Sequence, residues 1–357
     1  MLVINAILHL LIDGICAFSM FGKYAERGAE AYLFYNLFAF ALQMPFGALC
    51  DAVCSKLSGR LVIKRFYWGV TLLGVLFTIL GMAFGFPALG VGNALFHIGG
   101  GLTSIKEDDE RKLKGAGLGA FVAPGAIGIF LGKELSAFSS LGVYIRNAFI
   151  FLTLALVLAG FLRLYYEEKH FIFLEKPSSK EDRFKDSLKD LILSAFICFV
   201  VVVLRSFIGQ SVGFSWKSSL ALAFTATLAV AFGKAAGGFL AAKIGELKAV
   251  VISLTAASVF YIFSEIPVCG ILSLFFFNMT MPVTLYILIK KMPRLPGFSF
   301  GLLTFGLFVG FYIFYLEPKV PVSGGVLGCA GSVISLILLS ILTVRDTLKD
   351  KREKKGA

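Results

Sequence analysis

The chain has 357 residues, of which 58% are hydrophobic and 16% are charged, and its formal net charge is +12. A mean hydropathy of +0.86 and 38 phenylalanines exclude an ordinary soluble domain. The charged residues stand in short groups between long apolar stretches, which is typical of a protein that crosses a membrane many times. The positive charge lies in the loops between these stretches, so it indicates membrane topology rather than nucleic-acid binding.

Twelve apolar stretches are long enough to cross about 30 Å of hydrocarbon as helices. We place them at roughly 2–22, 30–50, 67–86, 88–105, 115–134, 142–164, 190–209, 218–241, 248–264, 266–290, 298–316 and 322–344. Most of the 34 lysines and arginines lie in alternate loops, on the same side as the amino terminus. We therefore expect both termini in the cytoplasm and the chain in the plasma (inner) membrane.

The longest polar stretch follows the sixth apolar stretch and divides the twelve into six and six. We predict an all-α membrane protein with an amino-terminal six-helix bundle (1–165), a cytoplasmic linker (166–189), a carboxyl-terminal six-helix bundle (190–345) and a basic cytoplasmic tail (346–357). Inside the linker, the apolar run from Phe171 to Leu174 predicts a short helix on the inner leaflet. A weak repeat, in which Gly47 aligns with Gly238, favours two related halves, as in secondary transporters.

Two polar pairs interrupt the apolar stretches and are the first candidates for function. His9 and Asp13 lie in the first stretch, and Asn93 and His97 lie in the fourth. A spacing of four residues places the members of each pair on one helix face. Ionisable side chains within the hydrocarbon of a membrane carry a large desolvation cost, so they are functional candidates. Asp13 is the leading candidate for a proton-coupling residue, because the pKa of a carboxylate depends strongly on burial and on nearby cations. A structural ion pair between Asp13 and His9 or an arginine is the alternative.

Three segments carry a resemblance to a known family: HLLID (9–13), YNLFAFALQMPFGALCD (35–51) and LFHIGGG (95–101). With the basic loop after Asp51, they resemble the major facilitator superfamily and, within it, the fosmidomycin-resistance branch. The resemblance covers mainly the first 135 residues. The Phe-His-Pro-Glu element of that branch reads here Phe96, His97, Ile98, Gly99, without the carboxylate.

The resemblance implies twelve helices in two bundles and a secondary active transporter that moves a small organic solute, coupled to protons, by alternating access. Drug or metabolite efflux is the activity it implies. Helices one, four, seven and ten would line the central site. The expected substrate- and proton-binding residues are His9, Asp13, Asn36, Gln43, Asn93, His97, Arg205, Asn278 and Thr284, and the expected gating residues are Asp51, Lys56 and Arg60.

Other functions stay open at this point. Arg205 could hold an anionic group, which favours proton-coupled uptake of an organic anion, or it could reach to the outer membrane surface. A remote alternative is an intramembrane metal-dependent hydrolase with His9, Asp13 and His97 as ligands. A lipid-handling or scaffold protein of the same fold is a third alternative.

We expect no enzymatic activity, no cofactor and no bound metal. The expected partners are a small-molecule substrate, protons and the lipid bilayer, bound to a monomer. No ATP-binding segment is present, so the energy would come from a gradient.

Overall fold

The computed structural model describes residues 1–171, 187–318 and 321–356, and within these ranges all regular elements are helical. The described residues form twelve long helical segments, one for each apolar stretch of the sequence. These are α1 (Leu2–Phe21), α2 (Ala25–Cys54), α3 (Arg60–Phe84), α4 (Phe86–Glu110), α5 (Ala116–Ser136), α6 (Ser139–Phe171), α7 (Leu188–Ser211), α8 (Leu220–Ile244), α9 (Glu246–Ile262), α10 (Pro267–Lys291), α11 (Pro296–Leu316) and α12 (Gly324–Gly356).

Ten of these described segments are long and apolar enough to cross a membrane. The other two are α4, which is rich in glycine and ends in a charged turn, and α9, which has 17 residues. Large apolar side chains, such as Phe151 and Phe196, remain exposed along the helices, as the hydrocarbon of a bilayer requires. The chain is therefore a multi-pass membrane protein.

The helices group into two compact units. Unit 1 comprises Met1–Lys112, Ala120–Lys185 and Met292–Phe305, and unit 2 comprises Leu113–Gly119, Asp186–Lys291 and Gly306–Ala357. Most of the predicted linker, and most of the predicted inner-leaflet helix, lie outside the described residues. The backbone of the basic tail continues α12 as far as Gly356.

Glycines fix the position of α4 in unit 1. A Cβ atom at Gly74 of α3 would lie 2.2 Å from the backbone nitrogen of Phe96, and one at Gly99 of α4 would lie 2.4 Å from that of Thr71. Such contacts require that the two helices touch backbone to backbone, which small residues alone permit. The close packing sets the depth and rotation of α4, and with them the direction of His97.

Two helices are interrupted in the middle. In α2, residues Leu37–Ala41 form a π-helical turn, and such turns are frequent at functional sites. In α10, which the sequence placed over 266–290, the segments Pro267–Asn278 and Thr280–Lys291 meet at a break just before Pro282, a residue that kinks or starts a helix. A broken helix leaves backbone carbonyls and amides without helical partners, so other side chains must satisfy them.

Candidate functional site

A buried polar cluster in unit 1 brings together the two pairs that the sequence singled out. His9 and Asp13 from α1 face Asn93 and His97 from α4, and each of the four is at most 8% exposed. The Nε2 atoms of the two histidines are 2.9 Å apart, and their rings meet edge to face. The Asp13 carboxylate lies beside both rings, 3.2 Å from His9 Nε2 and 3.7 Å from His97 Nε2.

The backbone contacts of the two histidines determine where their protons lie. His9 Nδ1 is 2.8 Å from the carbonyl oxygen of Phe121, and His97 Nδ1 is 2.8 Å from that of Asn93. A carbonyl oxygen only accepts, so both Nδ1 atoms must donate. A neutral imidazole has one N–H, so both Nε2 atoms would then carry lone pairs that point at each other. A hydrogen bond between them therefore needs one more proton than two neutral histidines supply.

Asp13 balances the charge of that additional proton. The side-chain amide of Asn93 donates to Asp13 Oδ1 at 3.0 Å and holds the carboxylate in place. One carboxylate and one extra proton give the cluster zero net charge, which is the state that burial in a membrane protein tolerates best. We call His9, Asp13 and His97 the proton-sharing cluster.

Helix α5 closes this cluster, and the sequence did not indicate its role. It supplies the Phe121 carbonyl, and the Phe121 ring packs 4.8 Å from the His9 ring. A Cβ atom at Gly125 would lie 2.4 Å from His9 Nε2 and 2.6 Å from Asp13 Oδ2. Gly125 belongs to a run of glycines around Pro124, and such small residues let another helix approach closely.

The same three side chains could hold a divalent cation, because their ligand atoms lie within 4.8 Å of one another. Tetrahedral zinc with bonds of about 2.05 Å would separate two imidazole nitrogens by about 3.3 Å. The observed 2.9 Å is shorter than that and equals an ordinary N–H···N hydrogen bond. The geometry in this structure thus fits a shared proton better than a metal ion.

Arg205 is the buried charge of unit 2. Its side chain is 6% exposed, its Nη1 donates to the Phe277 carbonyl at 3.0 Å, and its Nη2 donates to the Thr280 hydroxyl. Both partners lie at the break in α10. The guanidinium is therefore buried within unit 2.

Four other predicted site residues bond within their own helices. Their side chains donate to the carbonyl four residues earlier at 2.7–2.8 Å: Asn36 to Tyr32, Gln43 to Ala39, Asn278 to Leu274, and Thr284 to Thr280. All four bonds lie next to the helix interruptions, two beside the π-helical turn of α2 and two beside the break in α10. The Oε1 atom of Gln43 is buried and has no hydrogen-bond partner within the part of the chain that the structure describes.

The predicted gating residues do not form one group. Asp51 accepts hydrogen bonds from the backbone amides of Gly297 at 2.9 Å and Phe298 at 2.7 Å, so it caps the start of α11. Arg60 instead pairs with Glu110 at 2.5 Å, and Lys56 is exposed. The contact of Asp51 with α11 was missed because nothing local in either sequence segment indicates it.

Lys64 was also missed, since the sequence placed it in a basic loop. Its side chain is 1% exposed, and its ammonium lies 2.9 Å from Glu107, 2.9 Å from Glu110 and 3.0 Å from Glu167. This ion cluster joins the ends of α3, α4 and α6. Because Lys64 is buried among carboxylates, it is a structural residue of unit 1 rather than a topology signal.

Comparison with known proteins shows the fold. No protein-family model and no curated protein sequence matches this chain. Among solved structures, the fucose:proton symporter of E. coli has a TM-score of 0.61 at 12% identity over 96% of this chain and 97% of its own. A bacterial homologue of the iron transporter ferroportin has a TM-score of 0.56 at 13% identity over 96% and 97%. The human organic anion transporter MFSD10 has a TM-score of 0.60 at 15% identity over 95% and 98%.

These similarities confirm the predicted fold, which is the twelve-helix, two-bundle architecture of the major facilitator superfamily. They span nearly the whole chain, whereas the sequence resemblance covers mainly the first 135 residues. At such low identity they concern the fold alone. The assignment to the fosmidomycin-resistance branch stays a prediction.

Proposed function

We propose that this chain is a proton-coupled secondary transporter of a small organic solute, and that the proton-sharing cluster carries the coupling proton. The pairing of the two imidazoles carries the proposal. Their Nε2 atoms are 2.9 Å apart although both Nδ1 atoms are committed to carbonyls, so the contact needs one proton beyond two neutral rings. A site that binds one exchangeable proton within the membrane is the chemical requirement for coupling.

Release of this proton follows from a change of solvation. In this structure the cluster is closed to solvent, and sharing the proton keeps the carboxylate and the imidazoles neutral as a group. When water reaches the cluster, it solvates the Asp13 carboxylate and both rings, so the proton can leave from Nε2 to water. Access from one side of the membrane and then from the other turns uptake and release into coupled transport.

The comparisons support transport over hydrolysis, because the three solved structures are described as two transporters and a homologue of a transporter. One of them is a proton symporter. Efflux of a drug or metabolite follows from the sequence resemblance, and uptake of an anion follows from Arg205. We further propose a monomer in the plasma membrane with both termini in the cytoplasm, with Asn36, Gln43, Asn278 and Thr284 near the substrate path and Asp51 in the gate.

Substitution of Asp13 by asparagine tests the coupling. Proteoliposomes would be offered a defined mixture of organic acids, sugars, nucleosides and fosmidomycin, and internal solutes would be measured by mass spectrometry with and without an imposed pH gradient. One pH unit corresponds to about 1.4 kcal/mol and supports up to about tenfold accumulation of a solute that moves with one proton. The wild type should accumulate at least one solute, and Asp13→Asn should only equilibrate it.

The exposed Asp109 provides the matched control, since Asp109→Asn removes a carboxylate at the end of α4 outside the cluster. It should accumulate the solute like the wild type. Gradient-driven accumulation that persists in Asp13→Asn would contradict the proposed role of the cluster. Stoichiometric zinc in the purified wild type, lost in Asp13→Asn, would favour the metal-dependent hydrolase instead.

A further inference from the structure

Arg205 has hydrogen-bonding capacity that the protein leaves unused. A guanidinium has five N–H donors. Nη1 donates to the Phe277 carbonyl, Nη2 donates to the Thr280 hydroxyl, and Nε is buried with no hydrogen-bond partner among the described residues. Nε and Nη2 lie along the same edge of the group, which is the edge that binds a carboxylate by two parallel hydrogen bonds.

The positive charge of Arg205 is also unbalanced within unit 2. In this half of the sequence, no aspartate or glutamate occurs in 191–245, 247–264, 266–316 or 318–345. The two partners of Arg205, a carbonyl and a hydroxyl, are neutral. A buried cation with neutral partners alone retains most of its desolvation penalty, so an anion that reaches Arg205 gains a full charge pair.

A purely structural role explains only part of this arrangement. A cation at the end of Pro267–Asn278 stabilises the carbonyl end of that half-helix, and the bond to Phe277 does this. That role needs one edge of the guanidinium, and it leaves the Nε edge and the excess charge unexplained. Discontinuous helices are also where transporters of known structure bind charged groups, since the break exposes backbone dipoles.

The surroundings of Arg205 narrow the chemical class of the anion. The guanidinium lies 5.2 Å from the centre of the Phe277 ring, and Phe277 packs edge to face on the buried Tyr261. One guanidinium matches one negative charge, and aromatic neighbours match an apolar body. A phosphate dianion or a dicarboxylate would leave charge without a partner on these groups.

We propose that Arg205 is the binding site for the carboxylate of an apolar organic monoanion, which is the transported solute. This inference rests on the proposed transport function and names its substrate class. The carboxylate lies on the Nε edge of Arg205. Because Nη2 donates to Thr280 and Nη1 donates to Phe277, the guanidinium group is held in one orientation before the anion binds.

Binding to the purified full-length protein tests the inference without requiring transport. The probes are benzoate and hexanoate, each compared with its neutral amide, and inorganic phosphate. Their effect on the melting temperature gives a dissociation constant for each probe. The wild type should be stabilised by both carboxylates and bind the amides and phosphate at least about tenfold more weakly, as expected when a charge-assisted pair is absent.

Two variants separate substrate binding from a structural role. Arg205→Gln removes the charge and should abolish the stabilisation of the protein by both carboxylates. Arg205→Lys keeps the charge but cannot form two parallel hydrogen bonds, so it should weaken carboxylate binding about tenfold or more. The exposed Arg294 provides the control, because Arg294→Gln should bind like the wild type. If Arg205→Gln does not fold, the Arg205→Lys comparison decides.

The inference is overturned if neither carboxylate stabilises the wild type, or if Arg205→Lys binds both carboxylates as well as the wild type does. Asp13→Asn distinguishes this failure from that of the proposed function. It should still bind the carboxylates, because Asp13 lies in unit 1 and Arg205 in unit 2. Carboxylate binding without gradient-driven accumulation would refute proton coupling and leave the anion site standing.

Discussion

A methyl group at Gly125 tests the proton-sharing cluster without removing any of its ionisable groups. In Gly125→Ala the new Cβ atom would lie 2.4 Å from His9 Nε2 and 2.6 Å from Asp13 Oδ2. Ordinary contact begins near 3.4 Å, so these two atoms must move by about 1 Å. Both belong to the contacts that share the proton, so the substitution acts on the cluster directly.

The size of the effect follows from the distances. Displacement of His9 Nε2 by about 1 Å would take its 2.9 Å contact with His97 out of hydrogen-bonding geometry. Overpacking costs about 1–3 kcal/mol, and alanine in place of glycine in a helix recovers up to about 1 kcal/mol. We expect a net destabilisation of about 1–2 kcal/mol, which the fold survives, together with loss of the shared proton.

The measurement is solute accumulation in proteoliposomes under an imposed pH gradient, with the melting temperature as a check on folding. Gly125→Ala should lower the melting temperature slightly, should still equilibrate the solute, and should not accumulate it. Gly69→Ala is the matched control, because a Cβ atom there meets nothing within 4 Å. Full accumulation by Gly125→Ala would refute the assignment of the proton to the contact between His9 and His97.

Two further predictions concern the ends of the helices in unit 1. Lys64→Gln leaves three carboxylates without their shared cation, and it should lower the free energy of unfolding by about 3 kcal/mol. This value is at the low end of the range for breaking a buried ion pair, because Glu110 and Glu167 are partly exposed. The exposed Lys56→Gln should change it by less than about 0.5 kcal/mol in the same denaturation assay, and equal effects would contradict this account. Asp51→Asn weakens the cap of α11, which contributes about 1 kcal/mol. The contact between Asp51 and α11 should then open more often, and the buried neighbour Cys50 should react faster with a maleimide in a variant whose other cysteines are replaced. An unchanged labelling rate would count against a gating role.

The sequence predicted the number and order of the helices, because a membrane span leaves a long apolar run that depends on nothing distant. It predicted their ends less well. The sixth helix extends over Ser139–Phe171 where 142–164 was expected, since helices continue beyond the hydrocarbon into polar turns. The break in α10 lies just before Pro282, a residue expected to kink or start its helix because a proline ring clashes with the carbonyl four residues earlier.

The candidate site was predicted in part, for a physical reason. A spacing of four residues is enough to place His9 beside Asp13, and the structure has them in contact. The direction of the His97 ring could not be predicted, because it depends on a backbone contact between α3 and α4. The roles of the Phe121 carbonyl and Gly125 could not be predicted either, because neither is a polar side chain. Asp51 and Lys64 have partners distant in sequence, which a local pattern cannot identify.

The proposed proton site and the proposed anion site have complementary charges. With its shared proton the cluster around Asp13 is neutral, and without it the cluster is negative. With a bound carboxylate Arg205 is paired, and without it Arg205 is an isolated cation. The two ligands carry opposite charges, so the proton and the anion add no net charge when they move together. Each site is costly to bury when empty and much less so when loaded. If both proposals hold, the desolvation penalty would favour burial of the two sites when the proton and the anion are both bound, which would couple the two ligands.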